Sequence, residues 1–327
     1  MRWGVLGVAG ITEAVIPAML ASESVELVGI ASRNLARAEE AAVRYGIKAF
    51  DGYRALLADP SIEAVYLPTP NAQHAEWAMR AAAAGKHVLC EKPMAVTEAE
   101  AREMAATAAA HNVLLGEAFM YAQHPRFAMI AQALAQGRIG DVRAIHTVFT
   151  FDASAELGHS GFQGAPGSGA TYDVGCYAIH VTRHLLGCEP DAVTAHAATS
   201  ALHGDIDMST SMLMEFPLGV SSTAQVGMWS TDQDTIEITG SRGRLSVPHA
   251  FLCGPDDGDF IITVDGVTEV IEVPRVNHYT SQAEHFSGAV RGEHQLRFDA
   301  ADAVAGSRVL DAVTRSWRSG TRVEVTS

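Results

Sequence analysis

The first 120 residues alternate between short apolar runs and helix-like stretches, and this alternation restricts the possible folds more than any other feature. Apolar runs lie at residues 2–9, 25–31, 62–67, 87–90 and 113–119. The stretches between them are rich in Ala, Glu and Arg, as in LARAEEAAVRYG, which ends at the helix-stopping Gly46. Alternation at this spacing is typical of βαβ units, so we expect an α/β fold whose parallel sheet is covered on both faces.

The pattern changes near residue 122, where strand-like runs begin to dominate. Examples are residues 144–151, 209–216, 234–240 and 260–264, and short glycine-containing turns such as residues 240–243 join them. One helix is expected at about residues 171–186, and two more near the end of the chain. We therefore predict a first domain at 1–122 and a second, α+β domain at 123–327 with a large, mostly antiparallel open sheet.

The composition excludes several classes of protein. The 327 residues carry a formal net charge of −15 and no run of Lys and Arg, which argues against nucleic acid or an anionic membrane surface as a partner. No apolar run reaches the roughly 18 residues needed to cross a bilayer, and the N-terminal segment lacks the features of a signal peptide. The four cysteines are scattered without CxxC spacing, so neither a disulfide framework nor a zinc site is indicated. We expect a cytoplasmic protein.

A glycine-containing turn follows the first apolar run. In dinucleotide-binding domains a G-x-G-x-x-G/A turn lets a pyrophosphate approach the backbone at a helix N-terminus. Here the three positions are Gly7, Ala9 and Thr12, with Gly10 adding space, so only the first position matches. An ordinary strand–helix turn fits these residues as well. The predicted contacts with a dinucleotide are Gly7, Ala9, Gly10 and Ile11.

The end of the second run bears on the choice of cofactor. An Asp or Glu at this point usually binds the ribose hydroxyls of NAD, whereas the 2′-phosphate of NADP needs a cation and hydroxyl donors. The sequence has Ala31-Ser32-Arg33-Asn34, with Arg37 one helical turn later. A capped helix beside a solvated arginine explains the same residues. If a dinucleotide binds, Ser32, Arg33 and Arg37 favour NADP over NAD.

Three separated motifs resemble those of the glucose–fructose oxidoreductase/inositol dehydrogenase (Gfo/Idh/MocA) family. They are YLPTPNAQH at 66–74, AGKHVLCEKPMA at 84–95 and DVGCY at 173–177. They occur in the family's order, and the likeness extends over nearly the whole chain. The resemblance implies a Rossmann domain followed by a substrate-binding and oligomerisation domain. It is greatest to the NADP-using sugar dehydrogenases and dihydrodiol dehydrogenases.

The resemblance also implies roles for individual residues. Lys92 matches the lysine that lies at the nicotinamide and contacts the reacting hydroxyl, while Asp173 and Tyr177 match the acid and the proton donor of the second domain. Three residues of the TPN-x-x-H segment and the acid beside the lysine match cofactor-binding positions: Thr69, Asn71, His74 and Glu91.

The chemistry of these residue types agrees with such roles. Oxidation of a secondary alcohol releases a proton as the hydride leaves, and a lysine removes it near neutral pH when burial or a neighbouring positive charge lowers its pKa from about 10.4. On a helix, Asp173, Tyr177 and His180 share one face, which we expect to meet Lys92 between the domains. Plainer alternatives are a solvated strand-exit lysine, a core tyrosine and a core histidine. His180 and His184 are four residues apart but have no third ligand, so no metal site is predicted.

The expected substrate is a neutral sugar or polyol. Where the family often has arginine, this chain has Ala122, and residues 161–173 contain Gln163 but no arginine. The predicted substrate contacts are Lys92, Gln163, Asp173, Tyr177 and His180. The sequence thus predicts an NAD(P)-dependent oxidoreductase acting on a secondary hydroxyl or ketone, as a homodimer or homotetramer. Oxidation of trans-dihydrodiols, or a catalytically silent NADP sensor, are the alternatives.

Overall fold

The computed structural model describes residues 1–156, 165–254 and 257–326. The chain forms two compact units, Met1–Gln123 with Asn277–Val304 and His124–Val276 with Ala305–Ser327. The sequence places the boundary at 122/123 and assigns everything after it to the second domain. In the structure the segment Asn277–Val304 returns to the first unit, because a late helix packs against the first helix of the chain. Such a return is a long-range contact that local sequence patterns do not report.

Nine helices occur in the described ranges. In chain order they are α1 Thr12–Leu20, α2 Leu35–Tyr45, α3 Tyr53–Leu57, α4 His74–Ala83, α5 Glu98–Ala110, α6 Pro125–Ala135, α7 Cys176–Leu186, α8 His278–Val290 and α9 Ala300–Ser319. Local signals set several ends: Asn34 accepts a hydrogen bond from the Ala36 N–H at the start of α2, and Gly46 closes that helix with φ of 67°. None of the helices in these ranges is long and apolar enough to cross a membrane.

The first unit contains a six-stranded parallel sheet. Its strands are β1 Arg2–Leu6, β2 Glu26–Ser32, β3 Lys48–Asp51, β4 Ala64–Leu67, β5 His87–Cys90 and β6 Leu115–Glu117. The spatial order is β3-β2-β1-β4-β5-β6, with every neighbouring pair parallel. Val65 packs into one hydrophobic cluster, while Ala64 and Tyr66 pack into another, so both sheet faces are covered. This is the strand order of the doubly wound dinucleotide-binding fold.

The second unit is built on a nine-stranded sheet. The strands are β7 Val142–Asp152, β8 Ala192–Ser200, β9 Ile206–Glu215, β10 Ser221–Gly227, β11 Trp229–Gly240, β12 Gly243–Pro248, β13 Phe260–Val264, β14 Val267–Ile271 and β15 Val323–Glu324. Their order is β14-β13-β12-β11-β7-β10-β9-β8-β15, and among these pairs only β7 and β10 are parallel. The predicted fold class, a parallel sheet followed by a mostly antiparallel one, is confirmed.

Candidate active site

The turn between β1 and α1 has the form of a phosphate-binding turn despite its single matching glycine. Gly7 has φ of 145°, a conformation that residues with a side chain rarely adopt. A Cβ placed on Gly10 would have no atom within 4 Å, so the backbone there is open to a ligand. The predicted residues Ala9, Gly10 and Arg37 line a common cavity of about 270 Å³ between the start of α1 and α2. The turn therefore fits a dinucleotide pyrophosphate.

Three side chains that can donate hydrogen bonds lie at the end of β2 and the start of α2. Ser32 is buried and accepts a hydrogen bond of 3.2 Å from the Asn34 N–H, while Arg33 and Arg37 are exposed at the start of α2. Arg37 donates to the Val8 carbonyl at 3.1 Å and so joins α2 to the turn. No acidic residue occurs between positions 31 and 34. Three donor side chains without an acid match the needs of a 2′-phosphate.

Tyr53, which the sequence did not single out, belongs to the same group. Its ring is buried and packs edge-on against Trp77 with ring centroids 4.7 Å apart. Burial raises the pKa of its hydroxyl, and the guanidinium groups of Arg33 and Arg37 oppose that rise. The hydroxyl therefore lies beside both arginines. The one local signal for it is an aromatic residue directly after the short strand β3.

His74 joins the loops that follow β4 and β5. Its side chain is fully buried, with Nδ1 3.0 Å from the Pro93 carbonyl and Nε2 2.7 Å from the Thr69 carbonyl. Burial lowers the pKa of this imidazole and the two carbonyls oppose the shift; in the neutral ring one nitrogen donates to one of the two carbonyls. The structure thus gives His74 a backbone-holding position, and the predicted cofactor contacts of Thr69, Asn71 and His74 stay predictions.

Lys92 lies two residues beyond the end of β5, half-buried and followed by a cis bond to Pro93. The neighbouring carboxylate of Glu91 accepts a hydrogen bond of 2.7 Å from the Tyr66 hydroxyl and one of 3.2 Å from the backbone N–H of Lys92. Burial, then the Glu91 charge, raises the pKa of Tyr279 to about 12, and Lys92 acts in the opposite direction. Tyr66 and Tyr279 therefore both accompany the Glu91–Lys92 pair, and neither is among the predicted site residues.

Asp173 lies on a π-helical turn, Thr171–Gly175, that leads into α7. The buried carboxylate of Asp207 accepts from the Thr171 N–H at 2.7 Å, the Thr171 hydroxyl at 2.6 Å and the Thr210 hydroxyl at 2.9 Å. Burial raises the pKa of Asp207, and these hydrogen bonds oppose the rise. Asp207 therefore fixes the segment that carries Asp173. The expected regular helix begins here as a wider π turn, so Asp173 precedes α7 while Tyr177 lies within it.

Tyr177 and His180 lie on α7 and are 4% and 3% exposed. The Tyr177 ring centroid is 5.2 Å from that of Phe149 and 5.3 Å from that of Phe251. Burial, followed by the charges of His184 and Arg183, holds the pKa of His180 well below its ordinary value. Gln163 lies outside the described residues.

The predicted residues fall into two sets. The cofactor set and Lys92 lie at or just beyond the carboxyl ends of β1, β2, β4 and β5, where open α/β sheets bind their ligands. Asp173, Tyr177 and His180 belong to the second unit. A doubly wound sheet with this turn and this lysine defines a dinucleotide-binding oxidoreductase as the class of protein.

Comparison with known proteins gives the family. Residues 1–119 match the family model described as oxidoreductase family, NAD-binding Rossmann fold, and residues 127–246 match the GFO/IDH/MocA C-terminal domain. The uncharacterized oxidoreductase ORF334 of Rhizobium meliloti is 38% identical over 331 residues, which cover 98% of each chain. The chain belongs to the GFO/IDH/MocA oxidoreductase family, as predicted.

Two further relatives have a stated activity. D-xylose 1-dehydrogenase (NADP(+)) 2 of Haloferax volcanii is 34% identical over 330 residues, 99% of this chain and 100% of that protein. The crystal structure of KijD10, a 3-ketoreductase from Actinomadura kijaniata in complex with NADP and TDP-benzene, matches with a TM-score of 0.91 at 31% identity and covers 97% of each chain. Similarity to these enzymes over the full length confirms the oxidoreductase class.

Proposed function

We propose that the protein is an NADP-dependent oxidoreductase that transfers a hydride between the nicotinamide and a secondary hydroxyl or ketone of a neutral sugar or polyol. The observation that carries the proposal is Lys92, held next to a fixed Glu91 at the carboxyl edge of a dinucleotide-binding sheet. Relatives that oxidise a sugar and reduce a ketone support both directions of the same chemistry.

In this proposal Lys92 and Tyr177 handle the proton of the reacting hydroxyl. Bound NADP⁺ supplies the hydride acceptor and a positive charge. Lys92 accepts the hydroxyl proton, since a neighbouring positive charge favours the neutral amine. Tyr177 relays that proton or donates it in the reductive direction, and Asp173 holds substrate hydroxyls or orients the lysine. The Tyr66 hydroxyl donates to Glu91 and holds its carboxylate in place next to Lys92.

An assay on Lys92→Met tests the mechanism. We expect kcat for the best sugar to fall at least a hundredfold, in the usual range for loss of an acid–base group, with the unfolding temperature unchanged. Lys48→Met is the matched control, because Lys48 is exposed and its ammonium contacts only protein groups outside the candidate site, the Asp59 carboxylate and the Phe50 ring, in the described residues. Turnover by the Lys92→Met variant at the parental rate would contradict the mechanism. No turnover by the parent of any sugar, polyol or trans-diol, with NADP still bound, would favour the sensor.

NADP preference rests on Ser32, Arg33, Arg37 and the absence of an acid between positions 31 and 34. We expect NADP to bind at least tenfold more tightly than NAD in a fluorescence titration. Arg33→Ala should remove most of that difference, whereas Arg102→Ala, on the exposed face of α5, should not. Equal affinities for NADP and NAD in the parent would contradict the assignment.

We infer a neutral substrate in part from three arginines of the second unit that are already engaged within the protein. No lysine occurs after Lys92 in the sequence. Arg126 donates to backbone carbonyls, Arg183 pairs with Glu189 at 2.7 Å and Arg275 pairs with Asp259 at 2.8 Å. Recognition of a diphosphate usually needs a cation that is available to bind it. A panel of aldoses, polyols and nucleotide sugars, assayed for NADP reduction or NADPH oxidation, separates the two substrate classes.

The predicted homodimer or homotetramer is also part of the proposal. On one face of the nine-stranded sheet, short polar side chains of β9 and β10 join each other, as in the pair Gln225–Ser209 at 2.7 Å, and Leu213 is 37% exposed among them. Small polar residues on a flat sheet are compatible with a contact between two copies. Light scattering should give a multimer for the parent and a smaller species for Leu213→Asp. A monomeric parent would contradict this prediction. The cytoplasmic location also stays a prediction.

A further inference from the structure

The segment that carries Phe251, one of two aromatic rings against Tyr177, is held by two charged side chains, the buried Arg126 and the partly buried Asp234. The rings of Phe149, on β7, and Phe251, just after β12, stack with centroids 5.1 Å apart and an interplanar angle of 24°. The Tyr177 ring meets Phe149 edge-to-face at 80° and Phe251 at 57°. Phe149 is 4% exposed and Phe251 is fully buried. Two packed walls of this kind fix the rotamer of an aromatic side chain.

Phe251 lies in residues 248–252, a segment that Arg126 holds from one side. Arg126, on α6, is fully buried, and its guanidinium donates to the carbonyls of Pro248 at 3.2 Å, His249, and Ala250 at 2.6 Å. These carbonyl dipoles replace the water that the buried cation would otherwise need.

Asp234, on β11, holds the amide groups of the same segment. Its carboxylate accepts from the Phe251 N–H at 2.8 Å and the Leu252 N–H at 2.7 Å, and its carbonyl accepts from the Ala250 N–H at 3.2 Å. Asp234 is also the register partner of Phe149 across the β7–β11 pair. Asp234 therefore contacts both residues. Its backbone pairs with that of Phe149 in the sheet, and its carboxylate binds the Phe251 N–H.

We propose that Phe251 is a positioning residue for Tyr177, and that Arg126 and Asp234 act through Phe251 to hold the tyrosine hydroxyl in the orientation needed for proton transfer. This inference rests on the proposed role of Tyr177. Its physical basis is that a proton donor works only within hydrogen-bond reach of the reacting oxygen, and a phenol ring free to rotate leaves that range.

The test is a cycle of four enzymes: the parent, Phe251→Leu, Tyr177→Phe and the double variant. Phe251→Leu should lower kcat about tenfold, leave KM for NADP unchanged and shift the pH profile of kcat. In the Tyr177→Phe background the same change should have almost no further effect on kcat, because the hydroxyl that Phe251 positions is already absent. A purely structural role would lower kcat by the same factor in both backgrounds. Leu252→Ala is the matched control, since Leu252 is the next residue and is 54% exposed.

The outcomes separate the inference from the function on which it rests. Parental kcat in Tyr177→Phe would overturn the role of Tyr177, and with it the inference. Loss of activity in Tyr177→Phe with a parental kcat and pH profile in Phe251→Leu would overturn the inference alone. Equal losses in the two backgrounds would also overturn it. Phe251→Met fills a similar volume without a planar ring and takes the place of Phe251→Leu if the leucine variant does not fold.

Discussion

Buried histidines should make the protein sensitive to mild acid, and we predict a large loss of stability between pH 7.5 and pH 5.0. Burial is the largest cause of a lowered pKa at His74, His124, His180 and His285. For His124 and His285 the pKa falls to about 4. In the unfolded chain a histidine regains its ordinary pKa of about 6.5. The unfolded state therefore binds more protons than the folded state below pH 6.5.

The size of the loss follows from proton linkage. Because the folded pKa is depressed, the stability contribution of each histidine is complete above about pH 6.5 and is lost as the pH falls. At pH 5.0, about 1.5 units below the unfolded pKa, a histidine whose folded pKa is about 4, such as His124 or His285, contributes a loss of up to about 2 kcal/mol. His124 and His285 together give up to about 4 kcal/mol, against a total stability of about 5–15 kcal/mol for a typical protein, and burial acts in the same direction at His74, His87 and His180.

Two effects oppose this loss, and both should be smaller. Burial raises the pKa of Asp207 and Asp234, so protonation of these acids favours the folded state as the pH falls. This gain is complete only below the ordinary pKa of an unfolded Asp, near 3.9, and it comes from two acids against five histidines with a lowered pKa, so it should be the smaller effect at pH 5.0. The net charge of −15 also decreases toward zero, which relieves repulsion, but salt screens charges spread over a surface.

Urea unfolding followed by circular dichroism at pH 7.5, 6.5, 5.5 and 5.0, at constant salt, measures the effect. His124→Asn keeps an acceptor for the Arg126 N–H at the start of α6 and removes the titrating ring. It should therefore reduce the pH dependence of the unfolding free energy by about 2 kcal/mol. His111→Gln, at an exposed position, is the control. Equal unfolding midpoints at pH 7.5 and 5.0 in the parent would refute the reasoning.

Three further predictions follow from single positions. Gly10→Ala should leave the unfolding temperature within about 2 °C of the parent, because the added methyl has space in the protein. It should weaken NADP binding several-fold in a fluorescence titration, because the methyl would occupy the space of the pyrophosphate, and unchanged affinity would contradict this. Gly169→Ala should destabilise by more than about 2 kcal/mol in urea unfolding, since its Cβ would lie 2.0 Å from the Asp207 carboxylate, whereas Gly46→Ala, with open space around it, should cost only about 1 kcal/mol. Tyr66→Phe should lower kcat several-fold and cost about 1 kcal/mol of stability by releasing the Glu91 carboxylate, and a parental kcat would argue against a role for that hydrogen bond.

Local signals explain most of what the sequence predicted. The closing glycine of α2 and the apolar run of β5 before Lys92 each act within a few residues, so their elements were expected nearly where they lie. The capping signal of α6 was equally local, since His124 caps the helix and Pro125 occupies its first turn, yet that helix was not predicted. Strand β3 and helix α3 have only four and five residues, too few to show a period.

The contacts that organise the candidate site join residues far apart in the sequence. The Tyr66 hydroxyl and Glu91 are 25 residues apart, and Asp207 binds Thr171 across 36 residues. Tyr66 stands in an apolar strand and is fully buried, so its sequence context indicates a core residue. Only the register of β4 beside β5 brings its hydroxyl to Glu91. Contacts of this kind can be predicted only once the fold is known.

A motif residue therefore has two possible roles, and the structure distinguishes them where the sequence does not. Lys92 and His74 belong to neighbouring motifs, and the resemblance placed both at the cofactor. Lys92 is half-buried beside a fixed carboxylate, which suits a group that exchanges a proton. His74 is fully buried, with its two ring nitrogens against the Thr69 and Pro93 carbonyls, so it packs between the loops that carry them. Asp207 and Asp234 do the same in the second unit, each binding amide groups of a loop beside Asp173 or Tyr177. Lys92 thus lies on a loop and Asp173 on a π turn, each beside a buried polar side chain that holds the backbone, so we expect changes at His74 or Asp207 to disturb the candidate site.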